Sequence, residues 1–209
     1  MSETFILLIG AGGHARACID VVEQHGEFTI RGLIGTPEEV GSVVLGYEVL
    51  GTDGSIPSFR HLAANALVTV GQIKTPDPRM RLFALLEEGG WLMPPIVSPR
   101  AYVSRHAEVG AGSIVMHGAV VNAAASIGRN CILNSNSLVE HDSTVADHCH
   151  ISTSAAVNSG VCIGAGAFVG SGSSIRQGLT IGERCVIGMG QRVLQDCAAG
   201  TQLPPGRVA

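Results

Sequence analysis

Residues 120–145 read VVNAAASIGRNCILNSNSLVEHDSTV, and an aliphatic side chain stands at every sixth place: Val121, Ile127, Leu133, Val139 and Val145. The same register takes in Val97, Val103, Val109 and Val115 before this stretch. After it come Ile151, Val157, Ile163, Val169, Ile175, Ile181, Ile187 and Val193, making seventeen positions without one insertion. Val, Ile and Leu make up about a quarter of an ordinary chain, so chance would give such a run roughly once in ten billion placements. The register is therefore structural.

A period of six excludes an amphipathic helix, which repeats every 3.6 residues, and a hairpin meander, which alternates every two. It fits a parallel β-helix of hexads, three to a triangular coil, in which positions three hexads apart stack and the aliphatic side chain points into the prism. Two places earlier the residue is small (Ala101, Ala107, Ser113, Ala119, Ala125, Cys131, Ser137), because two inward side chains must share a narrow interior at solid-like density. Gly or Asn often follows the aliphatic residue, as at Gly110, Asn122, Gly128, Asn134, Asn158, Gly164, Gly170, Gly182 and Gly188. That position is expected to be a corner with unusual backbone angles.

The hexads fill residues 94–209, which leaves 1–93 for a separate domain with its own core. Phe5 to Ile9 is a continuous apolar run suited to a strand buried on both faces. Gly10-Ala-Gly12-Gly13-His14 follows it, and then a helical pattern through Cys18, Val21 and Val22 that ends near Gly26. Further strands fit 29–34 and 66–70, and a helix fits 78–88 with Leu82, Leu85 and Leu86 on one face. Alternating units of this kind predict a small α/β, Rossmann-like βαβ lobe. A glycine turn between strand and helix is where backbone N–H groups meet a phosphate. An NAD site is disfavoured, because Gly35-Thr36 stands where an acidic residue would close the second strand, and only half of a full dinucleotide domain is available. A nucleotide-sugar phosphate fits better, with a tight turn holding no ligand as the plain alternative.

The formal net charge is −4, and Lys74 is the one lysine. No basic run offers itself to nucleic acid or to a membrane surface, so the partner is small or another protein. The six cysteines show no paired spacing, which reads as buried reduced thiols and a cytoplasmic location. No apolar stretch reaches membrane-spanning length, and no signal-peptide pattern opens the chain.

The turn Gly10-Ala-Gly12-Gly13-His14 followed by hexads resembles the family of hexapeptide-repeat sugar O- and N-acyltransferases, which includes the bacterial UDP-4-amino-sugar acetyltransferases and the sialic-acid O-acetyltransferases. The resemblance covers nearly the whole chain. It implies that the coils wind left-handed, against the usual crossover rule, and that the protein is a homotrimer with sites between neighbours. It also implies that Gly12, Gly13, His14, Gly35, Thr36 and Gly71 contact a nucleotide-linked sugar. The family often carries acidic residues where Gly35 and Thr36 stand.

Polar residues concentrate at Asn134-Ser-Asn136-Ser-Leu-Val-Glu140-His141-Asp142 and Asp147-His148-Cys149-His150, which hold three of the eight histidines. His141 falls two places after inward Val139, so its ring should point out from a corner. A histidine there suits a general base at neutral pH, and adjoining Asp142 could fix its tautomer; a solvated corner histidine is the bland reading. Asn134 could hold the acceptor group or stabilise its own corner. His148 is expected to be exposed.

By resemblance, Val139-Glu140-His141-Asp142 matches the family motif in which the histidine is the base and the next acid supports it. His150-Ile151-Ser152 matches a motif whose histidine contacts the acetyl thioester, on the outer surface half a coil from His141. An extended pantetheine arm laid along the prism should meet groups one coil apart. Ser171 and Met189 are so spaced, with Gly170 and Gly188 leaving the surface open, and the family's coenzyme contacts fall there. Where relatives often have Ala-Gly-Asn this chain has Asn158-Ser159-Gly160.

The reading that follows is acetyl transfer from acetyl-CoA to the amino group of a nucleotide-linked amino (dideoxy) sugar, for surface-glycan synthesis. His141 would be the base, with a backbone N–H or His150 stabilising the oxyanion and no metal required. O-transfer to a sialic-acid-type sugar is the near alternative. A γ-type zinc carbonic anhydrase shares the hexads, but two of its ligands are spaced His-x4-His, whereas His141, His148 and His150 are seven and two apart. A non-catalytic scaffold is the remaining class.

Overall fold

The computed structural model describes residues 4–206, and in it the hexads close into a triangular, left-handed parallel β-helix. Each short strand pairs with the strands one coil before and one coil after it: Leu133 lies between Val115 and Ile151, and Val139 between Val121 and Val157. Three sheets of seven, six and five strands form the faces. Backbone N–H groups of one coil donate to carbonyls of the next, as from Ile132 to Cys149 at 2.9 Å and Asn134 to Ile151 at 2.8 Å. The aliphatic column and the small column two places before it, including Ala119, Cys131, Cys149, Ala155 and Ala167, form one buried core.

The corner geometry differs from the sequence expectation. Left-handed backbone angles fall three places after the aliphatic residue, from Gly112 through Asn130, Asn136, Asp142, His148 and Gly160 to Gly190. Asn, Asp, His and Gly are the residue types that tolerate this region best. Glycines directly after the aliphatic residue answer a different constraint, the approach of the next coil. A Cβ on Gly164 would lie 2.5 Å from the Glu183 nitrogen, and one on Gly170 would lie 2.6 Å from the Gly188 carbonyl carbon.

The N-terminal lobe comprises β1 (Thr4–Ile9), α1 (Gly13–His25), β2 (Phe28–Gly35), β3 (Val43–Val44), β4 (Tyr47–Thr52), β5 (Asn65–Val68) and α2 (Asp77–Glu88). Its sheet runs β3-β4-β2-β1-β5, larger than the sequence suggested. The added piece is a hairpin turned by Leu45 and Gly46, both at positive φ, as a two-residue turn matched to strand twist requires. β4 then pairs in parallel with β2. Helix α1 packs between this sheet and the prism, where Ile6, Leu8, Cys18 and Val22 share a core with Ile96, Ile114 and Ile132. On the other side of the sheet α2 buries Leu82, Phe83 and Leu86 against Leu7, Ile9 and Val68. No helix among the described residues is long and apolar enough to cross a membrane.

One charged side chain bolts lobe to prism. Arg79 of α2 is fully buried and donates to the Val68 and Val70 carbonyls at 2.9 and 2.6 Å and to Asn130 Oδ1 at 2.7 Å. Burial lowers its pKa to about 10, so it keeps its charge at neutral pH. Asn130, at a left-handed corner, turns its amide to His148 Nδ1 at 3.0 Å. His148 is therefore not exposed as expected: it is half buried and meets Phe83 edge-on, with ring centroids 5.6 Å apart.

Arg79→Ala would leave several buried carbonyls without a donor, each worth about 1–3 kcal/mol, so urea denaturation is expected to show a loss of about 3 kcal/mol or more. Arg184→Ala, which breaks an exposed pair to Asp77, should leave the urea midpoint nearly unchanged.

Candidate active site

Two cavities flank the tip of α1. The first, about 470 Å³, opens over the carboxyl ends of the lobe strands, where ligands of open α/β sheets bind. It is lined by Gly12, Gly13 and His14 at the helix start, Gly35 and Thr36 at the end of β2, and Gly71 after β5. Six of the residues singled out in the sequence thus converge. The sequence reading missed Glu39, Thr52, Asp53 and Arg81 on the same wall. Glu39 accepts the Thr36 N–H at 2.8 Å, which brings a carboxylate to the end of β2 from the following turn. Arg81 pairs with Asp53 across the cavity mouth; no sequence spacing links these two, since they meet only when α2 and β4 are folded.

The second cavity, about 1120 Å³, runs between the lobe and one corner of the prism. It collects Asn134, His150, Gly170, Ser171 and Met189, all anticipated, with Gly13, His14 and Gly71. Gly13, His14 and Gly71 line both cavities and form the wall between them. Its floor is the column His150, Phe168, Val186, paired strand to strand from one coil to the next. The coil repeat could have found Phe168 and Val186 from His150 alone. Lys74, Gln72 and Ile73 on the opposite wall carried no signal. Gly170 and Gly188 lie in the wall, but their side chains are missing because the next coil passes close, not to open the surface.

His150 departs from expectation. It points out of the prism, yet the lobe covers it and leaves it 6% exposed. Burial, aided by the Arg79 charge, lowers its pKa to about 4. The neutral ring places Nδ1 2.6 Å from the Gln72 carbonyl, so Nδ1 carries the proton and donates. Nε2 then holds a lone pair and faces Asn134 Nδ2 at 3.4 Å. A ring so fixed has no N–H left for an oxyanion, and that expected role is withdrawn. His14, 6.5 Å away between ring centroids, is lowered to about 3 by burial, the Arg79 charge and His150. Its Nε2 is buried with no hydrogen-bond partner.

His141 and Asp142 stand elsewhere. They occupy the next corner of the prism, beyond the face carrying Leu138 and Val139, and line neither cavity. Asn134 is thereby separated from His141 within one chain and lies beside His150. The His141 ring is exposed, with Nδ1 2.7 Å from Asp142 Oδ2 and Nε2 3.0 Å from Ser159 Oγ. The left-handed φ of 60° at Asp142 lets the side chain fold back onto its neighbour's ring. The hydrogen bond to Asp142 raises the His141 pKa above the ordinary value. His141, His148 and His150 are not brought together, and among the described residues no group of three His, Cys, Asp or Glu could hold a metal ion. Of the cysteines, Cys162 is exposed and the other five are buried, all unpaired.

Residues 5–82 match the family model described as the PglD N-terminal domain. Among solved structures, a histidine variant of perosamine N-acetyltransferase from Caulobacter crescentus, in complex with CoA and GDP-perosamine, superposes with a TM-score of 0.90 at 29% identity. The match covers 96% of this chain and 93% of that one. The acetyltransferase domain of PglB from Neisseria gonorrhoeae, in complex with acetyl coenzyme A, gives 0.88 at 26% identity and covers 96% of each chain. WeeI from Acinetobacter baumannii gives 0.82 at 24% identity, covering 95% of this chain and 96% of that one, and shares the fold. No curated protein matches in sequence.

Two titrations follow. By NMR the His141 imidazole should titrate above about 6.5, and Asp142→Asn should move its midpoint down. His14 and His150 are neutral when folded but protonate near pH 6.5 once unfolded. Their contribution to stability is thus complete above that pH and is lost as pH falls from about 6.5 toward 4. The urea midpoint should drop between pH 7.5 and 5; a flat profile would contradict the buried neutral pair.

Proposed function

From its place among the hexapeptide-repeat sugar acyltransferases, we propose that this chain transfers acetyl from acetyl-CoA to the amino group of a nucleotide-linked amino sugar. The observation that carries the reading is the shared wall. One cavity offers a helix N-terminus and the other a long trough on the prism, and Gly13, His14 and Gly71 belong to both. A substrate with a diphosphate at one end and an amine at the other suits the first cavity and reaches the second across that wall. The helix start at Gly13, with no acidic residue in its first turn, suits the diphosphate. Acetyl-CoA suits the trough, with pantetheine along Ser171 and Met189 and the thioester toward Asn134 and His150. The ligands of the two neighbours, CoA with GDP-perosamine and acetyl coenzyme A, support the same pairing.

In this reading His141 is the general base and Asp142 its support. Nδ1–H is held by the carboxylate, so Nε2 is the nitrogen that takes the amine proton. The amine then attacks the thioester carbonyl, and a tetrahedral oxyanion forms and collapses with loss of the thiolate, which takes up the proton. No covalent enzyme intermediate is needed.

The base and the trough stand at adjacent corners, which a homotrimer would reconcile. Of the three faces, one is covered by the lobe. A second presents Glu108, Ser126, Thr144, Cys162 and Thr180, polar apart from the thiol. The third presents Tyr102, Val120, Leu138 and Ala156 over its first four strands and then Ser174 and Arg192; the first four form the apolar column that association would bury. This face also separates the two corners. With three such faces about a threefold axis, the His141 corner of one protomer would meet the trough of its neighbour. Each site would then need two chains.

A thiol-release assay with acetyl-CoA and GDP-, dTDP- and UDP-amino sugars tests the activity. Acetylation of a sugar hydroxyl in a sialic-acid-type acceptor would redirect the reading to O-transfer, and no thiol release with any acceptor would end it. His141→Ala is expected to lower kcat at least a hundredfold while acetyl-CoA still binds. Mixed trimers of inactive His141→Ala and inactive Met189→Arg protomers should regain activity, and light scattering should give three chains; a monomer would contradict the shared site.

A further inference from the structure

Strand β2 ends on a glycine, yet a carboxylate stands beside it. An ideal Cβ built on Gly35 would lie 2.7 Å from Glu39 Oε2 and 2.9 Å from Val49 Cγ1. A side chain at residue 35 and the carboxylate of Glu39 therefore compete for one space, and the glycine leaves it to Glu39. The turn that carries this carboxylate is closed twice. The Glu39 N–H donates to the Thr36 carbonyl at 3.0 Å, and Glu39 Oε2 accepts the Thr36 N–H at 2.8 Å. Thr36-Pro37-Glu38-Glu39 has the spacing of a capping box, so holding the turn is one task of this side chain. It does not exhaust the group. A carboxylate has about four acceptor sites, and among the described residues Oε1 has no hydrogen-bond partner. Glu39 lines the first cavity, where the one Arg or Lys on the wall, Arg81, is paired with Asp53 instead.

We propose that Glu39 accepts hydrogen bonds from the ribose hydroxyls of the acceptor, and that the acceptor is a sugar linked to a ribonucleoside diphosphate rather than to a 2′-deoxyribonucleoside diphosphate. The inference rests on the nucleotide-linked acceptor proposed above and narrows its class. In an open parallel sheet, a diphosphate at the start of the helix after the first strand sets the attached ribose beside the end of the neighbouring strand, where an acidic side chain accepts from the 2′-hydroxyl. β2 is that neighbour, paired with β1 from Thr4 and Phe28 to Ile9 and Ile34, and α1 begins at Gly13 on the same cavity wall. In this chain the acid comes from four residues beyond the strand end. The lobe is a single five-stranded sheet, one mononucleotide half, so a dinucleotide stays excluded although the acid is present. Ribose offers two neighbouring hydroxyl donors and 2′-deoxyribose one. A site that leaves its acceptor unpaired disfavours the analogue that lacks the donor.

The test is calorimetric binding of UDP and GDP, each beside its 2′-deoxy counterpart, to the full-length protein. At least one ribonucleotide should bind about tenfold or more tightly than its 2′-deoxy form. Glu39→Gln keeps an acceptor for the Thr36 N–H and puts an NH2 group, which cannot accept, where the free oxygen was. It is expected to weaken the ribonucleotide about tenfold and leave the 2′-deoxy form within about twofold, which brings their ratio close to one. A side chain that only closes the turn predicts an equal loss for both forms and an unchanged ratio. That result would overturn the proposal, as would a wild-type ratio near one, a measurement that depends on no variant folding. If the nucleotides bind without regard to the 2′-hydroxyl, the ribose contact falls and the nucleotide-linked acceptor stands. If none of the four binds, the nucleotide reading falls and the ribose contact with it.

Discussion

The structure depends on one constraint, that every coil must present its hydrogen-bonding groups to the next at the same height. In a parallel β-helix the backbone of each short strand is satisfied by the coils above and below it, and nothing local replaces those bonds. A single insertion would put a corner where a strand is needed. The chain accordingly carries fourteen successive left-handed corners from residue 112 to residue 190, one in every hexad, and glycines where coils approach most closely. The same constraint aligns the side chains of the candidate site. It stacks His150 under Phe168, Ser171 before Met189, and His141 beside Ser159, so a column of side chains is as rigid as the backbone that repeats it.

Onto this ruler the lobe must be set at one angle, and Arg79 sets it. A guanidinium without a carboxylate partner is costly to bury, and it remains because carbonyls from β5, from the loop after it and from Asn130 accept from both of its terminal nitrogens, while Nε has no partner. Its charge reaches further. Together with burial it keeps His14 and His150 neutral, so the wall between the two cavities carries no charge of its own.

The imidazoles singled out for the candidate site differ in their surroundings. His14 and His150, under the lobe, are held neutral by burial, and the Gln72 carbonyl fixes the tautomer of His150 alone. The exposed His141 is shifted upward by its hydrogen bond to Asp142. Burial lowers the first two, and the carboxylate of Asp142 raises the third. His141 and the trough occupy different corners of the prism, with the face carrying Leu138 and Val139 between them.

The hexad register, the glycine turn and the Val-Glu-His-Asp motif were legible in the sequence, because each is a local pattern whose spacing already encodes geometry. They pointed to the architecture, the strand ends near residues 9 and 34, and a minority of the residues lining each cavity, among them Gly13, His14 and Gly71, which line both. The reason for the glycines after the aliphatic column was misread, since crowding by the next coil leaves the same residue type as backbone freedom does. Burial of His148 and His150, the tautomer of His150, the Arg79 bolt and the Asp53–Arg81 pair were decided only by tertiary structure. The Asp53–Arg81 pair forms within the lobe; the others depend on the lobe lying across one face of the prism, a contact that joins residues dozens of positions apart with no period to announce it.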